Sequence, residues 1–103
     1  FFVETFYYRL LSEMAYAQRK LGMKAKAVET ANELLSNFPV DEKNEDYLVY
    51  RAILEYHKDN YLGSLEYFDK AGKLDPDSEK IHGHIMAMKK LIQEEKSRKN
   101  GKN

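Results

Sequence analysis

The residues best equipped for chemistry in this chain are its three histidines, His57, His82 and His84. Their spacing argues against catalysis and metal binding. His82 and His84 stand two apart, which on a helix turns the rings to nearly opposite sides, whereas one metal held by a histidine pair needs the i, i+4 spacing. His57 and His84 could approach only across a fold, and they read as two polar residues. The sequence has no cysteine, which removes disulfides, thiolate chemistry and cysteine-ligated zinc together. No glycine-rich phosphate loop, Gly-x-Ser-x-Gly elbow or paired-histidine helix motif occurs, and Ser12 beside Glu13 has no evident base. The expectation is a chain that is not an enzyme and has no cofactor and no metal site.

A length of 103 residues suits one small domain that buries a little over roughly 60% of its unfolded surface. An apolar fraction of 43% with two prolines and five glycines favours a packed helical protein over disorder. Seventeen basic residues balance seventeen acidic ones. A net charge of zero supplies no field for a phosphate backbone or an anionic membrane, so neither is an expected partner. No apolar run reaches the roughly 20 residues that span a bilayer. The lack of cysteine leans toward a cytoplasmic location. The chain opens at Phe1 without a methionine, so it is expected to be a fragment, with any targeting signal lying upstream.

In the first helix Phe2, Phe6, Leu10, Met14, Ala17 and Leu21 recur at steps of four, four, four, three and four, one continuous helical stripe. Val3, Tyr7 and Leu11 widen it at its start, more apolar surface than a free helix exposes. Either Phe1 to Tyr8 packs on the second helix, or it docks on an upstream repeat or a second copy of the chain. Gly22 is the expected C-cap. Ala27, Val28, Ala31, Leu34, Leu35 and Phe38 form the next stripe, ending before Pro39. The charged connector Asp41 to Asp46 reads as a solvated loop, with Asp41 or Asn44 as the following N-cap. Leu48, Ala52 and Tyr56, then Tyr61, Ser64 or Leu65, Phe68 and Ala71, make two helices around a polar break at His57 to Asn60, an antiparallel hairpin whose small residues allow close approach. Asp75-Pro76 closes it. A fifth helix starts with Pro76 at its first position and buries Ile81, Ile85, Met88 and Ile92. The basic tail 95–103, with Lys96, Arg98, Lys99 and Lys102, carries no apolar residue and is expected to fray.

An offset of 37 residues lays Leu11 on Leu48, Ala15 on Ala52, Ala27 on Ser64, Ala31 on Phe68, Leu34 on Ala71 and Pro39 on Pro76. Removing a three-residue connector such as Glu42-Lys43-Asn44 brings the period to 34. At that period the sequence resembles the tetratricopeptide repeat, a helix-turn-helix unit that ends in small, aromatic and small residues followed by proline. The second unit, about 45–78, carries this ending as Ser64, Phe68, Ala71 and Pro76. It departs from the pattern at Arg51 and Glu55, where apolar residues are usual, and at Asp59, which replaces the turn glycine. The first unit, about 8–41, keeps Leu11, Met14, Ala15, Gly22, Ala27 and Pro39, with Ala31 in place of the aromatic. Residues 76–94 would be the helix that caps the last repeat.

The resemblance implies an all-α, right-handed stack of about five helices in one domain, 1–94, which binds a peptide or helix of a partner protein in a concave groove. Matched position by position, that groove would be lined by Ser12, Tyr16 and Arg19, by Val49, Tyr50, Ile53, Tyr56 and His57, and by Lys80 and His84. Tyrosines suit such a surface because they bring contact area, few rotamers and a hydroxyl. The family's clamp for chaperone-tail carboxylates needs lysine, arginine and amide groups where Ser12, Tyr16 and Tyr50 stand, so an apolar segment fits better. The alternative expectation is a structural piece of a longer array, or a self-associating domain, using Phe1, Phe2, Val3 and Phe6 against upstream repeats or in a homodimer.

Overall fold

A computed structural model describes residues 2–101, except for the side chains of Phe2 and Val3. The self-association expectation for Phe1, and for the side chains of Phe2 and Val3, lies outside the described residues. The described residues form five α-helices: α1 (Phe2–Lys20), α2 (Lys24–Ser36), α3 (Glu45–His57), α4 (Tyr61–Leu74) and α5 (Glu79–Gly101). Each packs on its neighbour in sequence, and α1 also approaches α3. The body is elongated, 53 × 32 × 20 Å. No described helix is long and apolar enough to cross a membrane.

The two hairpins turn in the same way at the same place. After α1 the amide of Gly22 donates to the Arg19 carbonyl and that of Met23 to the Gln18 carbonyl. After α3 the amides of Asp59 and Asn60 donate to Tyr56 and Glu55 in the same pattern. Both are left-handed helix closures that satisfy orphaned carbonyls. Gly22 has φ 81° and Asp59 has φ 64°, so the residue standing where glycine was expected adopts the glycine conformation. An aspartate tolerates it at a cost of order 1 kcal/mol. Helix starts follow from short polar side chains: Asn44 Oδ1 accepts from the Tyr47 amide, Asn60 Oδ1 from Gly63 and Ser78 Oγ from Ile81. A side chain at Gly63 would meet the amide of the capping Asn60 at 2.5 Å and push it aside, so glycine leaves the cap its room.

The positions matched by the 37-residue offset share one environment. Leu11 and Leu48, Ala15 and Ala52, Ala27 and Ser64, Ala31 and Phe68, and Leu34 and Ala71 are all buried. Small residues at the crossings let the helix backbones close up. Where serine replaces alanine, at Ser64, its hydroxyl donates to the Ala52 carbonyl at 2.8 Å, which removes the penalty of burying it. Phe68 lies at the centre of α3, α4 and α5, packed with Ala52, Ile53 and Met88, and its burial contributes about 1.5–3 kcal/mol.

Three expectations are corrected here. Pro76 lies in the turn before α5 instead of at its first position, because Ser78 provides the cap. The segment beyond Gln93 does not fray at once, and α5 runs to Gly101. Its lysines and glutamates are good helix formers, and Glu95 and Lys99 pair at i, i+4 over 3.6 Å. The third concerns α1. Its long stripe of Phe6, Leu10, Met14, Ala17 and Leu21 faces outward, and the helix is buried through Leu11, Ser12 and Ala15 instead.

Candidate protein-binding surface

Helices α1 and α3 bring most of the expected groove residues together, and at the C-terminal end of α3 they form one polar and aromatic cluster. Arg19 crosses from α1 to the end of α3. Its Nη1 donates to the carbonyls of Tyr56 at 3.3 Å and His57 at 3.1 Å. Its Nη2 donates to Asp59 Oδ1 at 2.6 Å and to the Tyr61 hydroxyl at 3.3 Å. The guanidinium also lies over the Tyr56 ring, 4.4 Å from its centroid. A cation at this point satisfies carbonyls that the helix leaves open and opposes the negative end of its dipole.

Asp59 anchors the other side of the cluster. Its second oxygen accepts from Lys24 Nζ at 2.6 Å, and Tyr61 donates to the first at 3.2 Å. Partial burial opposes ionisation, but the hydrogen bonds from Lys24 and Arg19 hold the carboxyl down at about 2. The arginine is correspondingly held charged despite its own burial, chiefly by Asp59. Arg19 is therefore spent on the fold.

The aromatic rings continue inward. Tyr16 meets the edge of the His57 ring at 5.0 Å and tilts against Tyr56 at 5.8 Å. Burial, and then the neighbouring Tyr56, push the Tyr16 hydroxyl up to about 12, against the pull of Arg19. His57 is wholly buried, and neither ring nitrogen has a hydrogen-bond partner among the described residues. Burial and then Arg19 lower it to about 4 although Asp59 works in the opposite direction, so the ring is neutral at pH 7.

Tyr50 belongs to a second aromatic row, edge-on to Phe38 at 5.3 Å, which in turn meets Tyr8 at 4.8 Å. The Tyr8 hydroxyl donates to the Asn37 carbonyl at 2.6 Å and ties α1 to the end of α2. Val49 is half-buried, packed both on the cluster of Tyr47, Leu48, Ala71 and Ile81 and on that of Ala52, Ile53, Phe68 and Met88. On α5, His84 stacks face to face on Phe68 at 4.7 Å, and burial followed by Lys80 lowers its pKa. Lys80 is exposed. His57 and His84 thus stand on different partners, one against Tyr16 and Tyr56 and the other against Phe68.

The burial of three expected lining residues corrects the groove. Ser12, Ile53 and His57 are inside, closed over by their own neighbours, and have almost no surface to offer a ligand. Tyr16, Val49, Tyr50 and Tyr56 remain half-exposed, with Lys80 and His84 on the adjoining helix. Sequence reasoning missed Asp59, Lys24 and Tyr61 as members of the cluster. The one available signal was the odd aspartate at a glycine position. It also missed a shallow cleft of about 280 Å³ between the α3–α4 turn and the far end of α5, lined by Asp59, Tyr61, Glu95, Arg98 and Lys99. That cleft carries both signs of charge and exists only because α5 stays helical beyond Gln93.

No known family model matches the chain, and no curated protein or solved structure matches it either.

Proposed function

We propose that this chain is a non-catalytic protein-interaction module built from two tetratricopeptide-like helix pairs and a covering helix. The observation that supports this most is the in-register repetition of the hairpins: the same left-handed closure at Gly22 and Asp59, with the same five pairs of positions buried around it. Stacked pairs of this kind present the first helix of each pair along one side. On that side the half-exposed Tyr16, Val49, Tyr50 and Tyr56 offer aromatic and aliphatic contact area, flanked by the exposed Lys80. The fitting ligand is a segment of another protein, helical or extended, with an apolar anchor and an acidic group toward Lys80.

The test is selection of a displayed peptide library on the full chain, followed by affinity measurements on the parent and on Tyr50→Ala. Apolar-anchored peptides should emerge, and Tyr50→Ala should weaken them at least tenfold. An empty selection, or peptides indifferent to Tyr50, would remove this surface as the binding site.

A further inference from the structure

The outer face of α1 is open. Phe6 is 63% exposed, Leu10 61%, Met14 44% and Leu21 76%, in one line along the helix. A hollow of about 370 Å³ runs beside it between Phe6, Arg9, Leu10 and Glu13. These side chains leave on the order of 400 Å² of apolar surface uncovered, a patch of the size that marks an interaction site on a small protein.

The chain itself shows what covers such a face. Shifting by 37 residues carries Leu10 to Tyr47, Met14 to Arg51 and Ala17 to Leu54. In α3 Tyr47 is 9% exposed, Leu54 2% and the Arg51 side chain 30%, whereas the counterparts of Phe6 and Leu21 are Lys43 and Lys58, both exposed. Their cover is α2 and the segment after it. Leu35 and Phe38 pack against the cluster that contains Tyr47, and Asn32, Leu35, Ser36 and Val40 share a cleft with Tyr47, Arg51 and Leu54. One helix pair therefore seats the first helix of the next, and α1 presents the same seat without an occupant among the described residues.

We infer that the Leu10–Met14–Ala17 face of α1, flanked by Phe6 and Leu21, is the docking seat for the second helix of a preceding helix pair, an amphipathic helix with α2's leucines and a following aromatic-proline step. Area favours this occupant over a second copy of the chain. Two such faces pressed together bury roughly 800 Å², short of the roughly 1,200–2,000 Å² of stable complexes. A helix joined to α1 by a short connector needs far less, because tethering supplies a high effective concentration. The inference stands apart from the tyrosine surface, which lies on another side of α1.

The test is the full chain extended by one period, residues 1–44 joined to 8–103. Tyr8 is the counterpart of Glu45, so the junction after Asn44 reproduces the natural one. In the parent chain Leu10→Glu should leave the thermal midpoint within about a degree, because the side chain is exposed. At the inner copy of Leu10, which the added α2 would cover, the same substitution should lower the midpoint by roughly 5 °C or more. Equal, small effects at both places overturn the inference. So does an extended chain that fails to fold cooperatively while the parent folds. Light scattering of the parent closes the remaining route: a dimer that Leu10→Glu returns to monomer would make a second copy the occupant and overturn the inference as well.

Discussion

Acidification should destabilise this protein chiefly through one buried ring. His57 is 0% exposed and has no hydrogen-bond partner for either nitrogen among the described residues. Its pKa falls from 6.5 to about 4 in the fold. Above pH 6.5 the ring is neutral in both the folded and the unfolded chain, and His57 contributes no pH dependence. Between pH 6.5 and about 4 the unfolded chain takes up a proton that the folded chain refuses, so stability falls with falling pH. At ~1.4 kcal/mol per pH unit, the whole window costs about 3 kcal/mol. That is a large share of the ~5–15 kcal/mol that holds a domain of this kind together. Below the window both states are protonated and the loss levels off. Asp59 then begins its own loss, between its ordinary value of 3.8 and about 2, so the two phases are separable. Urea titrations followed by far-ultraviolet circular dichroism from pH 8 to pH 4 measure the slope. His57→Leu, close to histidine in volume, should flatten most of it. His84, whose pKa is also lowered by burial, adds to the slope left over, and Glu45, whose pKa burial and then Asp75 raise, opposes it. A variant whose slope matches the parent's, or a His57 resonance titrating near 6.5 in the folded chain, would refute the reasoning.

Two further expectations test the fold's special positions. At Asp59, where φ is 64°, both Asp59→Ala and Asp59→Gly lose the carboxylate, but only alanine keeps a strained Cβ. Alanine should therefore be the less stable of the two by about 1 kcal/mol in urea denaturation, and equal stabilities would remove the backbone argument. Phe68→Ala should cost about 3–5 kcal/mol through the cavity it leaves. It should also let the His84 resonance titrate higher, because the ring loses the stack that buries it; an unmoved His84 would show that the stack contributes nothing to its burial.

The helices, their order and the repeat were legible because each hairpin carries its own apolar spacing and its own turn residues. Gly22 as a closure followed directly from local chemistry, and of the two caps it allowed, Asp41 and Asn44, the fold uses Asn44. The face on which α1 is buried was not legible, because that helix carries two apolar stripes. Phe6, Leu10 and Met14 form the longer one, but Leu11 and Ala15 with small Ser12 allow the closer packing, and packing chose them. The groove was overdrawn for a related reason. Periodicity placed Ile53 and His57 on the ligand side, yet large neighbours such as Tyr16, Tyr56 and Met88 are enough to close over them. Tertiary filling of this kind leaves no local trace. The length of α5 was misjudged because apolar content was taken as a condition for helix, whereas charge pairs one turn apart sustain it on a solvated surface.

Arg19 also acts as a gauge of position. Its four acceptors, the carbonyls of Tyr56 and His57, the Asp59 carboxylate and the Tyr61 hydroxyl, lie at one end of α3 and nowhere else along it. Tyrosine rings sliding over one another lose contact gradually, so aromatic packing alone would tolerate a range of offsets between the two helices. A guanidinium fitted to those acceptors does not: moving α1 by one helical turn, about 5.4 Å, takes the charge out of reach of all four. The offset of α3 against α1 is thereby set in discrete increments, as teeth set a rack, by where one arginine finds its partners.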